Sequence, residues 1–202
     1  MNVGIPRTVE FRGREVTTAI WKEPVAGPVA LVGVNLVGDD QADRRVHGGP
    51  DKAVYAYSVE DYAWWGEQGV TAGPGTFGEN LTTEGVDLSQ SRIGDRWTIG
   101  DAVLEVAQPR QPCFKLGIRM GDERFPDRFE VAARPGAYLR ILREGRVAAG
   151  DAIAIEPAVP PSVGVAALAT GDLDLDQVRL VAQDPRVPEG WRKSAQRALR
   201  DA

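Results

Sequence analysis

Apolar and polar residues alternate in short segments through about the first 155 residues of the chain. The segments are rich in Val, Thr and Tyr and are bounded by Gly or Pro, which is typical of β-strands. Gly-Asp pairs follow several of them and supply the backbone conformations that tight turns need. We expect strands in nine segments: 3–11, 14–20, 28–38, 52–58, 78–83, 95–100, 102–108, 137–145 and 151–157. Many short strands at this spacing predict a closed or nearly closed β-barrel.

Helical patterns interrupt the strands at two places. Segment 58–69 opens with Ser58, a candidate N-cap, and places Tyr62 and Trp65 on one face. Segment 113–136 is predicted to contain one or two short helices. The expected fold class is therefore mainly β, with a barrel and a few helices.

The composition changes after residue 157. Prolines at 157, 160 and 161 predict a stiff linker, and three helical patterns follow it. We divide the chain into a barrel domain, residues 1–158, and a three-helix segment, residues 163–202. About forty residues cannot form much core alone, so this segment should pack on the barrel or help to form a homodimer. The apolar residues expected to be buried are Leu168, Leu173, Leu175, Val178, Leu180, Val181, Trp191 and Leu199.

Composition narrows the classes of protein to consider. Among 202 residues, 43% are hydrophobic and 26% charged, as in ordinary globular proteins, and the net charge of −5 argues against nucleic-acid binding. An anionic ligand would need a local basic pocket. A single cysteine excludes an internal disulfide and suits a reducing compartment. The chain shows neither a signal-like apolar run near its start nor about 18 continuous apolar residues, so we expect a cytoplasmic protein that does not enter a membrane.

Cys113, the single cysteine, lies in the segment QPRQPCFKLGIRM. Pro109 and Pro112 restrict the backbone before it, and Arg110 and Lys115 would stabilise a thiolate if they face it. A thiolate is a nucleophile or a soft metal ligand. The alternative is a small buried hydrophobic side chain, the usual role of a free cysteine.

His47, the single histidine, lies in DRRVHGGPDK. It could act as the base for a catalytic thiolate. However, Arg44, Arg45 and Lys52 surround it, and glycines at 48 and 49 would let backbone N–H groups approach a ligand. This cluster is more typical of an anion-binding loop than of a catalytic dyad. A turn histidine with a structural hydrogen bond is the other interpretation.

Metal binding by protein side chains alone is weakly indicated. Structural zinc needs four Cys or His ligands, and the chain has two such residues. The glycines of GPGTFGEN lack the strand-to-helix setting of a dinucleotide loop, so we interpret them as a turn. A metal at Cys113 would thus take most of its ligands from a cofactor. Lys22 and Asn80, next to predicted strands, could contact such a cofactor.

Four long segments resemble one family: KEPVAGPVALVGVNLVGDDQADRRVHGGPDKAVYAYSVEDYAWW, GTFGENLTTEG, IGDRWTIGDAVLEVAQPRQPCFKL and GAYLRILREGRVAAGDAIAIEP. Together they resemble the MOSC domain, the module also found at the C-terminus of molybdenum cofactor sulfurase. The stand-alone YiiM-like bacterial branch is the most similar, because its members carry a comparable C-terminal helical segment. The resemblance covers nearly the whole chain.

The resemblance implies a β-barrel that binds molybdenum cofactor, a pterin with a dithiolene and a phosphate. It implies that Cys113 is a thiolate ligand of molybdenum and that Cys113 and His47 are the catalytic residues. The family's HGG segment matches His47, Gly48 and Gly49 at the cofactor pocket. The other cofactor-binding residues that it implies are Lys22, Arg45, Lys52, Asn80 and Arg110.

The activity implied is the reduction of N-hydroxylated compounds, such as N-hydroxylated purines, to amines. The sequence has no flavin or iron–sulfur signature, so a partner reductase would supply the electrons. A sulfur or cofactor carrier without turnover is the first alternative. The second is a Cys-His hydrolase or transferase that uses no metal.

Overall fold

The structure of the protein is a computed structural model, and residues 1–41 and 48–201 are described. The strands there are β1 (Asn2–Val3), β2 (Arg7–Phe11), β3 (Arg14–Thr18), β4 (Glu23–Pro24), β5 (Val29–Val32), β6 (Asn35–Leu36), β7 (Val54–Ser58), β8 (Leu81–Thr83), β9 (Arg96–Ile99), β10 (Ala102–Pro109), β11 (Ala137–Arg143), β12 (Gly145–Val147) and β13 (Ile153–Glu156). The helices are α1 (Val59–Glu67), α2 (Phe114–Met120), α3 (Phe125–Val131), α4 (Val165–Thr170), α5 (Leu175–Gln183) and α6 (Glu189–Asp201). Short 3-10 turns span Pro50–Lys52 and Leu88–Gln90.

The main sheet has six strands in the order β13-β9-β10-β11-β7-β8, and all neighbours are antiparallel except β7 and β8. A three-stranded sheet, β12-β5-β6, shares one core with it, in which Leu31 and Val147 belong to the same cluster as Trp97 and Leu104. The two edge strands of the main sheet, β8 and β13, line one cavity of about 380 Å³. The sheet therefore curls toward closure, and the mainly β, barrel-type fold is confirmed.

The Gly-Asp pairs form turns, as the sequence predicts. Gly38, Gly94, Gly100 and Gly150 all have positive φ, between 53° and 91°. Glycine adopts this region at little cost, whereas a residue with a Cβ would be strained there. Gly100-Asp101 reverses the chain between the paired strands β9 and β10, and the other three pairs turn the chain as it enters or leaves a strand.

Helix α1 begins where the sequence predicts. The hydroxyl of Ser58 accepts a hydrogen bond from the Asp61 N–H at 3.0 Å. Tyr62 and Trp65 are buried on one face of the helix. They join an aromatic core, separate from the main one, that also contains residues of α2 and α3. Segment 113–136 thus holds two short helices, within the predicted range.

The C-terminal segment packs against the barrel. Val163, Val165, Leu168 and Val181 are buried in the same cluster as the strand residues of the main sheet. Leu173, Val178, Leu180, Trp191 and Leu199 are partly buried against that cluster. Leu175, the first residue of α5, is 50% exposed and is not buried on the barrel, so its burial against a second subunit stays a prediction. The boundaries of the two domains and the homodimer stay predictions.

None of the helices within the described parts of the chain is long and apolar enough to cross a bilayer.

Leu168 and Leu175 form a matched pair for testing this docking. Leu168→Ala should lower the free energy of unfolding by about 2–5 kcal/mol, because it leaves a cavity in the core. Leu175→Ala should change it by less than about 0.5 kcal/mol, since that side chain is half exposed. Urea denaturation followed by tryptophan fluorescence measures both. Equal effects would show that the segment does not share the barrel core.

Candidate functional site

One cavity of about 90 Å³ brings together most of the predicted site residues that the structure describes. It lies where the chain leaves β3, β6 and β10 and where β7 and β11 begin. Five of the predicted residues line it: Lys22, Lys52, Asn80, Arg110 and Cys113. The other lining residues are Thr18, Ala19, Ile20, Asp39, Asp40, Gln41, Tyr55, Phe77, Gly78, Lys115 and Tyr138.

Cys113 reaches the cavity from the end of β10. The register of β10 on β11 shifts between Val106 and Gln108, so Ala107 is the extra residue of a β-bulge. After the bulge the chain leaves the sheet, and Cys113 becomes the extended N-cap residue of α2. Its carbonyl accepts the Leu116 N–H at 2.9 Å, while its thiol is free and half-buried.

Arg110 is a buried cation in the wall of this cavity, only 7% exposed. Its guanidinium donates to the Phe77 carbonyl and lies 5.0 Å from the ring centroid of Tyr55 and 5.6 Å from that of Phe129. Burial is the largest single influence and opposes its charge, but Tyr55, Tyr138 and Cys113 together outweigh burial and hold the pKa of Arg110 above its ordinary value. Among the described residues, no carboxylate pairs with it. The cavity therefore has a desolvated positive charge in its wall.

Lys22 is neutralised within the protein. Its ammonium pairs with the carboxylate of Asp39, which is almost completely buried and also accepts the Gly4 N–H at 2.7 Å. Burial lowers the pKa of Lys22, and the Asp39 carboxylate offsets part of that effect. Lys22 thus has a structural role that competes with its predicted role at a cofactor, because its charge is already paired with Asp39.

Asn80 directs its side chain to the protein scaffold. Its Oδ1 accepts the Tyr55 N–H at 3.1 Å, and its Nδ2 donates to Asn2 O at 3.3 Å and to Asp39 Oδ2 at 3.0 Å. The loop before it fits closely against the backbone of Lys22, because a Cβ at Gly75, where φ is +82°, would lie 2.5 Å from the Lys22 carbonyl oxygen. Asn80 therefore shapes the cavity wall.

Lys52 ends the 3-10 turn Pro50–Lys52 and lines the cavity. Burial lowers the pKa of Lys52, while the Cys113 thiol and the Asp51 carboxylate oppose that effect. The amine and the thiol are thus close enough to interact electrostatically. Gly48 and Gly49 are partly exposed just before this turn, and Gly49 has a φ of +95°, but neither lines the described cavity.

Arg45 and His47 lie outside the described residues. Their roles at the cofactor, and that of His47 in catalysis, stay predictions.

Three residues that shape the cavity have no sequence prediction. Asp39 belongs to a Gly-Asp turn, and nothing in its local sequence distinguishes it from the other turn aspartates. Tyr55 and Tyr138 are cross-strand partners on β7 and β11, with ring centroids 4.9 Å apart. In sequence both are ordinary strand tyrosines. Their contribution depends on contacts between segments far apart in the chain.

The described residues of the cavity offer one thiol and several cations as contacts for a cofactor. No three His, Cys, Asp or Glu side chains within residues 1–41 and 48–201 lie close enough together to hold a metal ion. The cavity instead presents one thiol with Lys52, Arg110 and Lys115, against Asp40 and the Lys22–Asp39 pair. This donor set fits a soft metal that brings most of its own ligands on an anionic group.

Comparison with known proteins gives concordant matches. The sequence profile of the MOSC domain matches residues 43–154. The chain is 41% identical to the uncharacterised protein YflK of Bacillus subtilis, over 74% of this chain and 68% of that protein. It is 36% identical to a Gibberella moniliformis protein named "Reductase", over 71% of this chain but 26% of that protein. The crystal structure of YiiM from Geobacillus stearothermophilus superposes with a TM-score of 0.78 at 30% identity, covering 98% of this chain and 96% of that one.

Asn80→Ala tests the scaffold role of this amide. It should lower the free energy of unfolding by about 2–4 kcal/mol, because the buried Tyr55 N–H and Asn2 carbonyl lose their partner. Gln90→Ala removes an exposed amide and should change it by less than about 0.5 kcal/mol. Chemical denaturation of both variants measures this. An unfolding free energy for Asn80→Ala that equals the wild-type value would contradict the assignment.

Proposed function

The chain belongs to the MOSC domain family, and from this premise we propose that it binds molybdenum cofactor through Cys113 and reduces N-hydroxylated compounds to amines. The observation that carries the proposal is one cavity lined by a free thiol, by Lys52 and by the buried cation of Arg110. A thiolate is a soft ligand that suits a sulfur-ligated metal. The cations suit a phosphate-bearing, anionic group.

The burial of Arg110 supports an anion at this place. A desolvated guanidinium costs several kcal/mol unless charge or hydrogen bonds compensate it. The described partners of Arg110 are a carbonyl, the Tyr55 hydroxyl and aromatic rings, and none of these is a carboxylate. An anionic ligand in the cavity would add the missing charge compensation. Lys52 and Lys115 line the same cavity and add to that positive charge.

The size of the cavity limits how such a cofactor would sit. Pockets that enclose drug-sized ligands measure about 300–1,000 Å³. A cavity of about 90 Å³ would enclose part of a pterin cofactor, and the remainder would lie against residues around the opening. We therefore assign the thiol and Arg110 to the enclosed part.

The chain's own residues would bind and orient the cofactor, and the cofactor would supply the redox chemistry. When bound, the cofactor provides two-electron reduction of the N–O bond, with water as the second product. Cys113 would hold the metal, Arg110 and Lys52 would hold anionic groups, and Tyr55 and Tyr138 would fix Arg110 in place. The name of the fungal relative is consistent with a reductase, although the matched region is 26% of that protein. We propose a separate reductase protein as the electron donor.

The test is expression in a host that makes molybdenum cofactor. Molybdenum is quantified in the purified protein, and reduction of N-hydroxyadenine is measured with an artificial electron donor. We expect about one molybdenum per chain and steady turnover. Molybdenum without turnover would favour a carrier of sulfur or cofactor, and protein without molybdenum would overturn the proposal.

Cys113→Ser should abolish both molybdenum retention and turnover while the thermal unfolding temperature stays near the wild-type value. The substitution removes little volume from a half-buried position, but a hydroxyl is a harder and more basic ligand than a thiolate. Metal analysis, activity and thermal unfolding are measured on the same preparation. A serine variant with wild-type metal content and turnover would refute the ligand assignment.

Lys52→Met should weaken cofactor retention by roughly tenfold or more, since a desolvated charge-assisted contact contributes on the order of 1.5–3 kcal/mol. Turnover per bound molybdenum should fall only modestly. Lys193→Met is the matched control, because Lys193 lies exposed on α6 and pairs with Glu189 at 2.7 Å. Cofactor loss is followed by molybdenum content after dialysis. Full retention in Lys52→Met would place Lys52 outside the binding site.

A further inference from the structure

We propose that the C-terminal helical segment positions Lys52 in the cavity through a relay from Trp191 to Gln108 and Asp51. The importance of this relay for cofactor binding rests on the function proposed above. The indole Nε1–H of Trp191, in α6, donates to Gln108 Oε1 at 3.1 Å. The Gln108 Nε2 then donates to the Asp51 carbonyl oxygen at 3.1 Å. Lys52 is the next residue in the chain and lines the cavity.

The orientation of the Gln108 amide is determined by its two partners. The indole of Trp191 can only donate, and the carbonyl of Asp51 can only accept. The amide must therefore direct its oxygen to Trp191 and its nitrogen to Asp51. Gln108 is 6% exposed and follows the bulge at Ala107, so its side chain lies in a nearly dry place. A lost bond there would not be replaced fully by water.

A second connection joins the same turn to the helical segment. Arg140 Nε donates to Asp51 Oδ1 at 2.5 Å, and its Nη2 donates to the Arg186 carbonyl at 2.6 Å. Its third contact is Glu105 Oε1 at 2.9 Å, on the barrel strand β10. Arg186 lies between α5 and α6. The Asp51 carbonyl is thus connected to the C-terminal helical segment through the side chain of Gln108, and the Asp51 carboxylate is connected to it through the side chain of Arg140.

The backbone of Lys52 is held as well. Its carbonyl accepts Gln41 Nε2 at 3.0 Å, and its N–H donates to the Gly49 carbonyl at 3.1 Å. The relay therefore acts on a turn whose backbone is fixed on both sides of Lys52. A fixed backbone limits the positions that the ammonium can reach, which is how supporting contacts make a binding site specific. Trp191 and Gln108 are positioning residues in this scheme.

Trp191→Phe tests the relay because it removes the indole N–H and keeps an aromatic ring. Two readouts use cofactor-free protein. One is the rate of alkylation of Cys113, the single cysteine, by iodoacetamide at one pH; a nearby cation accelerates this reaction by favouring the thiolate. The other is the dissociation constant for inorganic phosphate, measured by calorimetry. We expect Trp191→Phe to slow alkylation and weaken phosphate binding, each by about threefold to tenfold.

The deciding comparison is a double-mutant cycle with Lys52→Met. If Trp191 acts through Lys52, Trp191→Phe should have no further effect in the Lys52→Met background. Gln108→Leu should act like Trp191→Phe and should not add to it. Leu168→Ala is the matched control, since it loosens the same segment without touching the relay, and it should lower the thermal unfolding temperature and leave both readouts unchanged.

Three results would overturn the relay. The first is an effect of Trp191→Phe that is the same in the wild-type and Lys52→Met backgrounds. The second is a Trp191→Phe variant that loses thermal stability while the alkylation rate and the phosphate dissociation constant stay unchanged. The third is a Leu168→Ala variant that changes both readouts as much as Trp191→Phe does. None of them depends on molybdenum or on turnover. If the variants behave as expected but the protein contains no molybdenum after expression in a cofactor-producing host, the relay is supported and the proposed activity is refuted.

Discussion

The arrangement of the cavity depends on one buried carboxylate, that of Asp39. It accepts hydrogen bonds from the backbone of Gly4, from the side chain of Asn80 and from the ammonium of Lys22. These partners lie 35, 41 and 17 residues away in the chain, so one side chain joins four segments around the cavity. A buried charge is tolerated only when its hydrogen-bonding capacity is satisfied, and here three donors meet that requirement. Loss of Lys22 would leave the carboxylate charge without its counter-charge, and loss of Asn80 would leave Asp39 Oδ2 without this donor.

The cations of the cavity consequently belong to two kinds. Lys22 has its counter-charge inside the protein and serves the architecture. Arg110 carries a buried charge whose described partners are not carboxylates. Two cations at the same cavity can thus have different roles. Burial and partners distinguish these roles, and residue identity alone does not.

Sequence patterns predicted the strands, the N-cap Ser58 and the Gly-Asp turns well, because these depend on local properties. Ser58 as an N-cap and the glycines of the Gly-Asp turns follow from backbone requirements within a few residues. The resemblance to a family assigned Cys113 and Arg110 to the same cofactor site, and both residues line the cavity. Sequence could not show that Asp39 would neutralise Lys22, since that pairing arises only when distant segments meet.

Two other features could not be predicted from local sequence patterns. Gln108 and Trp191 are 83 residues apart, and neither has a local pattern that suggests a partner. Leu175 was expected to be buried on the barrel or against a second subunit, and its place in the first turn of α5 leaves it half exposed in the single chain. Periodicity gives the face of a helix on average and is least reliable at its ends.

The bulge at Ala107 restricts how this chain can accept insertions and deletions. Side chains alternate between the two faces of a strand, so an offset of one residue exchanges the faces for every position after it. The extra residue sets that alternation for Gln108 and for the chain that continues to Arg110 and Cys113. Loss of Ala107 alone would make β10 more regular and would direct these side chains away from their partners. Homologous sequences that keep the thiol site should therefore show fewer gaps here than in the exposed hairpin of β2 and β3.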